Sequence, residues 1–258
     1  MTYIRFNIQS IMSRKILVFL LFVVFSFQPV FSQGPFVLKG EVEAPIFIAT
    51  FSMWGGTYGA KQKHALKTVE YINSLKPGQV NKFDRSAIRM RSGAADMISN
   101  GLLFSSFALP FTLLGDKAIR KDFGKIALMD AEVIALNTAL TNLVKELVQR
   151  PRPLVYNPEI PIYKKRGADN FKSFFSGHTS TVASQSFYFA YVFTAYNPKD
   201  KLLPLVWTTA AVMPLTTGLM RYKAGKHFWT DVLIGYAVGA LVGVGVPALH
   251  STSLWNRR

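Results

Sequence analysis

Phe174-Phe175-Ser176-Gly177-His178-Thr179-Ser180 runs a small-residue turn straight into an apolar stretch that reads on as helix to residue 196. Ser176 is a helix-capping residue type, and Gly177 lets the backbone pass close to a ligand. The unpaired amides of a helix start attract anions. A histidine held beside such an anion can give a proton to a leaving oxygen. The same residues also suit an ordinary capped helix with an interfacial histidine, so the flanking sequence has to decide.

Working outward, apolar runs occupy 95–115, 123–147, 178–196, 202–220 and 228–249, each long enough to span a bilayer as helix. A further run, 44–60, is marginal because Gly55, Gly56 and Gly59 interrupt it. Only helices or closed barrels satisfy their backbone in lipid, and these patterns leave little room for strands. The expected fold is an all-α, polytopic membrane helix bundle of about five or six spans, with its active site at the membrane interface. Between 61 and 92 the chain is polar and basic. There Leu66, Val69, Tyr71, Ile72 and Leu75 recur at helical spacing, which predicts an amphipathic helix on the membrane surface, ended by Pro77-Gly78.

Half the residues are hydrophobic, yet the formal net charge is +16 and there is no cysteine. Disulfides, thiolate metal sites and a cysteine nucleophile are therefore excluded. Basic residues lie between apolar runs rather than along one polar face. That pattern fits anionic lipid headgroups and phosphate ligands, not nucleic acid. Arg5, Arg14 and Lys15 precede the apolar run Ile16–Phe27, followed by Val30-Phe31-Ser32-Gln33, which reads as a signal peptide or an N-terminal anchor. The expected division is 1–32 for that segment, 33–94 for the apolar run and basic connection, 95–250 for the helical bundle and 251–258 for a basic tail.

Two more stretches bear on the histidine turn. Lys145 and Arg152 lie seven residues apart at a helix end that Pro151 and Pro153 break. A mobile ammonium beside a fixed guanidinium fork suits a phosphate, although a basic helix end that complements the dipole and snorkels to headgroups has the same composition. Further on, His227 and Asp231 are four apart, so on a helix they share a face. The carboxylate can then fix the ring tautomer and leave the other nitrogen as a nucleophile, or the pair can simply pin a helix terminus. Arg221 is expected in the short loop just before. No third strong ligand accompanies His178 and His227, so no metal is expected with them. His64 and His250 read as surface or interfacial residues.

Jointly the three stretches resemble the type 2 phosphatidic acid phosphatase superfamily, which includes bacterial non-specific acid phosphatases and vanadium haloperoxidases. The pattern of lysine, six residues, arginine and proline is met in full by Lys145 to Pro153. Phe175-Ser176-Gly177-His178 stands for the second motif, with Phe175 in place of the family's proline. Met220-Arg221, His227 and Asp231 stand for the third, with Met220 in place of a serine.

The resemblance implies that Lys145, Arg152, Ser176, Gly177 and Arg221 bind phosphate. It implies that His227 is the nucleophile, Asp231 its orienting group and His178 the proton donor. No cofactor and no metal are implied. The implied activity is hydrolysis of a lipid phosphate or diphosphate through a phosphohistidine: undecaprenyl diphosphate, lipid A, phosphatidylglycerophosphate or phosphatidate. The other readings are a lipid-to-acceptor phosphotransferase, a vanadium haloperoxidase, and a non-catalytic lipid-phosphate binding or transport protein. The implied setting is the bacterial inner membrane with the bilayer and its lipids as partners. The site is expected to face the periplasm, which requires that 44–60 not cross.

Overall fold

The computed structural model describes residues 34–62 and 67–255. The signal-like segment, His64 and the last three residues lie outside them. Among the described residues the chain is helical, with one isolated antiparallel bridge, Phe36 to Ser251. Six long helices form the bundle: α1 (Gly40–Gln62), α2 (Gly93–Thr112), α3 (Phe123–Val148), α4 (Gly177–Tyr196), α5 (Leu203–Lys223) and α6 (Trp229–Leu249). By length and composition, four segments can cross a membrane: Gly93–Gly115, Phe123–Tyr156, Leu203–Lys223 and Trp229–Leu249.

The other two long helices differ for reasons visible in their packing. Helix α4 is the centre of the bundle and packs on α2, α3, α5 and α6. Its Ser180, Ser184, Gln185 and Ser186 are buried against protein, so the helix need not be apolar all round. Helix α1 is continuous through Pro45 and its glycines. It packs along α3, and a Cβ on Gly56 would lie 3.2 Å from Leu143, so this glycine makes room for the neighbour.

Glycines also set the closest helix pair. A Cβ on Gly235, Gly239 or Gly243 of α6 would lie 2.7, 2.1 or 2.3 Å from the carbonyl oxygens of Ser176, Ser180 and Ser184 on or beside α4. This small-residue stripe at four-residue spacing brings two backbones together as membrane helices do. It places the start of α6 beside the start of α4.

The bundle has two ends. At one end, Tyr196 bonds Asp122 and Asn197 bonds Asp116, which joins the end of α4 to the turn between α2 and α3. At the other end lie the end of α3, the starts of α4 and α6, the end of α5 and the start of α2. The basic connection after α1 also lies there, because Lys67 donates to Gln149 at 2.8 Å. The expected surface helix is only Val69–Ser74. Its Ile72 is 1% exposed and packs against Val155 and Phe171, so this face of the helix caps the 149–176 loop.

Candidate active site

Three chain segments meet at that second end. Helix α3 stops at Val148, and Gln149 adopts a left-handed conformation, so the Arg150-Pro151-Arg152-Pro153 segment turns across the helix end. Arg152 is 4% exposed, and each of its three nitrogens has a partner. Its Nε and Nη2 donate to the carbonyl and carboxylate of Asp169, both at 2.8 Å, and Nη1 donates to the Lys226 carbonyl at 3.0 Å. The same Nη1 lies 3.2 Å from Nε2 of His227. Lys145 is one turn back on α3. A Cβ on Gly177 would sit 3.3 Å from its Nζ, so the absence of a side chain at 177 lets the ammonium reach the start of α4.

Ser176 caps α4. Its Oγ accepts from the Thr179 amide at 3.4 Å and meets the Thr179 hydroxyl at 2.9 Å. The Ser176 amide donates to the Asp231 carbonyl at 3.0 Å, which ties the second motif to the third. His178 is half-buried, and its Nε2 lies 2.8 Å from Asn100 Oδ1 on α2. A carbonyl-type oxygen only accepts, so Nε2 carries the proton in this pair.

The third stretch differs from its sequence reading in two places. Arg221 lies in the last turn of α5 rather than in a loop. It is 5% exposed and bonds Asp96 at 2.6 Å. Helix α6 begins at Trp229, so His227 precedes the helix instead of sharing a face with Asp231. The buried Asp231 sits at the third helical position. Its Oδ2 accepts from the Phe228 amide at 2.9 Å and from the Ser173 hydroxyl, while Oδ1 pairs with Arg150. His227 Nδ1 is left 3.6 Å from Oδ2, an ion-pair distance without a hydrogen bond. Burial foremost, then the charges of Arg152, Arg221 and Lys145, hold the His227 imidazole well below its usual pKa. It is therefore neutral at physiological pH.

The sequence reading missed the support around this core. Arg150 bridges Asp231 and the buried Asp84, with Thr230 bonded to both Arg150 and Asp84. Asp96, Ser99 and Asn100 form one polar face at the start of α2, and Asp96 and Asn100 contact Arg221 and His178. Polar residues at three- and four-residue spacing in an apolar span were a readable signal. Asp84, in a basic connection far along the chain, offered none. All eight sequence-selected residues lie at this end of the bundle. They form a cationic cluster with a neutral imidazole, two capped helix starts and a second histidine.

The PAP2 superfamily model matches residues 128–255, a range that contains all of these eight residues. The chain is similar to phosphatidylglycerophosphatase B of Bacillus subtilis (strain 168), with 27% identity over 169 residues, 61% of this chain and 76% of the relative. It is also similar to the crystal structure of the first transmembrane PAP2 type phosphatidylglycerolphosphate phosphatase from Bacillus subtilis. That match has 22% identity and a TM-score of 0.49, and it covers 81% of this chain and 95% of the other. With three motifs in order and a family match that spans them, the chain belongs to the PAP2 superfamily.

Proposed function

We propose that this multi-pass membrane protein is a lipid phosphatase that works through a phosphohistidine on His227. The observation that supports it most is the Arg152–His227 contact of 3.2 Å inside a pocket that also gathers Lys145 and Arg221. A guanidinium has only donors, so Nε2 is the acceptor and keeps its lone pair.

In this reading Lys145, Arg152 and Arg221, with Ser176 and the backbone at Gly177, hold the phosphate oxygens. They offset the charge of a five-coordinate transition state. Nε2 of His227 attacks phosphorus, and the bond to the lipid oxygen breaks with its electron pair on that oxygen. His178 supplies the proton. In the second step His178 takes a proton from water, the water oxygen attacks phosphorus, and the phosphorus–nitrogen bond breaks to return the imidazole. Asp231 acts on His227 through charge at 3.6 Å and by fixing the turn at Phe228.

Cationic side chains take the part of a metal here, so no metal is assigned to this step. The pocket lies at helix ends, where a headgroup can enter while its tails stay in the bilayer. The named relative makes phosphatidylglycerophosphate the first substrate to test. We assign the protein to the inner membrane with the site facing the periplasm.

The test is phosphate release by the detergent-purified protein from phosphatidylglycerophosphate, phosphatidate, undecaprenyl diphosphate and lipid A, with wild type beside His227→Ala. Release that survives EDTA and vanishes in the variant is expected. Equal release by the variant would remove His227 from the chemistry. Transfer of phosphate to a second headgroup rather than to water would make the protein a phosphotransferase.

A further inference from the structure

A second cluster lies at the opposite end of the bundle. Glu43 on α1, Glu132 on α3 and His250 just after α6 are 8%, 4% and 0% exposed. His250, read from the sequence as interfacial, is buried because residues 35–37 and 251–252 pair across it. The Val37 amide donates to the His250 carbonyl at 2.8 Å, and the Thr252 amide donates to the Pro35 carbonyl at 2.9 Å. Nε2 of His250 lies 3.0 Å from Glu43 Oε1 and 3.5 Å from Glu132 Oε2. One ligand-type atom from each residue lies within 4.8 Å of the others.

The chemistry of these atoms is one-sided. His250 Nδ1 donates to the Val246 carbonyl at 2.9 Å, because that oxygen can only accept. With that proton on Nδ1, Nε2 faces the two carboxylates, either as a lone pair for a cation or as an N–H donor to Glu43 Oε1. This is how a metal-binding histidine is usually oriented by its second nitrogen. Neither oxygen of Glu132 has a hydrogen-bond partner, nor does Oε2 of Glu43. Among the described residues, His250 lies within ion-pair distance of both carboxylates.

Two buried carboxylates side by side need either a shared proton or a cation among them. Bonds of about 2.0–2.2 Å in a tetrahedral arrangement separate ligands by about 3.4 Å, close to the spacings found. One imidazole and two carboxylates suit zinc or manganese better than magnesium or calcium, which prefer all-oxygen sets.

We propose that Glu43, Glu132 and His250 bind one divalent cation of the zinc–manganese class. It fastens the start of α1 to α3 and to the chain after α6. Asp231 and His250 are nineteen residues apart on one helix, about 28 Å at 1.5 Å per residue. The cation therefore takes no part in phosphate chemistry and acts as a clasp.

The test uses the full chain in detergent. It is loaded with Zn²⁺ or Mn²⁺ and desalted, and bound metal is measured by mass spectrometry. Wild type and His227→Ala should each retain one equivalent, and Glu132→Gln should retain none. A measurement on wild type alone guards against a misfolded variant. Chelator treatment should lower Tm, and return of the metal should raise it by about 5 °C or more. No retained metal in wild type, or equal retention by folded Glu132→Gln, overturns the proposal. The first of these outcomes would mean that the cluster holds a shared proton.

Discussion

Nη1 of Arg152 sits 3.2 Å from Nε2 of His227, with both side chains closed off from solvent. That contact fixes the ring proton on Nδ1, on the side of Asp231. It also turns Nε2, the proposed attacking nitrogen, toward the cation that would hold the phosphate. In the proposed mechanism nucleophile and anion site are thus one preformed unit.

Arg152→Lys keeps the charge but loses the fork. A single ammonium cannot hold the Asp169 carbonyl, the Asp169 carboxylate and the Lys226 carbonyl while facing His227. The kcat for a lipid phosphate should fall by about 10²–10³-fold, as for loss of one transition-state donor. Retention of more than a tenth of wild-type kcat would mean that charge alone suffices.

The depressed pKa of His227 sets a pH profile. As the proposed nucleophile it must be neutral, and burial with three nearby cations holds its pKa well below the usual 6.5. In kcat/KM, corrected for the substrate's own second ionisation near about 6, the acid limb due to His227 should lie below pH 6.5. A limb at or above that value would show that His227 protonates as an ordinary histidine.

Asp84 should matter for stability and should matter less in acid. Burial alone would raise its carboxyl pKa. The amide and hydroxyl of Thr230, with Arg150 and Asn81, outweigh that and hold it below the usual range. Such a group stabilises fully above its unfolded value of about 3.9 and loses that contribution as pH falls through the lower folded value. Asp84→Asn should cost about 1.5–3 kcal/mol near neutrality. In thermal scans the Tm gap to wild type should stay constant from pH 8 to about 5 and narrow below about 4.

Gly239→Ala should separate α4 from α6, since its Cβ would fall 2.1 Å from the Ser180 carbonyl. Overpacking of this kind costs about 1–3 kcal/mol. Because α4 and α6 each begin at the phosphate pocket, kcat should fall as well. Gly245→Ala, on the same helix with open space at its Cβ, is the control and should leave activity unchanged. Equal Tm values for the two variants would show that the helices adjust.

Five helices were legible in the sequence to within about three residues, because Pro, Gly and charged turns bracket each apolar run. Arg152, Lys145 and the two histidines were legible through spacing. Helix α1 was harder, since its glycines read as breaks when Gly56 is a packing site for Leu143. The expected His227–Asp231 hydrogen bond presumed a helix that starts two residues too early. The Asp231 carboxylate is instead committed to Phe228, Ser173 and Arg150. Arg150–Asp84 and Glu43–Glu132–His250 join residues distant along the chain, and no local pattern announces such pairs.

Helix α1 touches Glu132 and His250 at one end and leads to the Lys67–Gln149 contact at the other. The six long helices alternate in direction, so residues 34–39 and 250–255 share one end of the bundle and the Arg152 loop lies at the other. If all six helices cross a bilayer, a reporter fused within 154–175 and one fused at the C-terminus should report opposite compartments, whichever way the bundle is inserted.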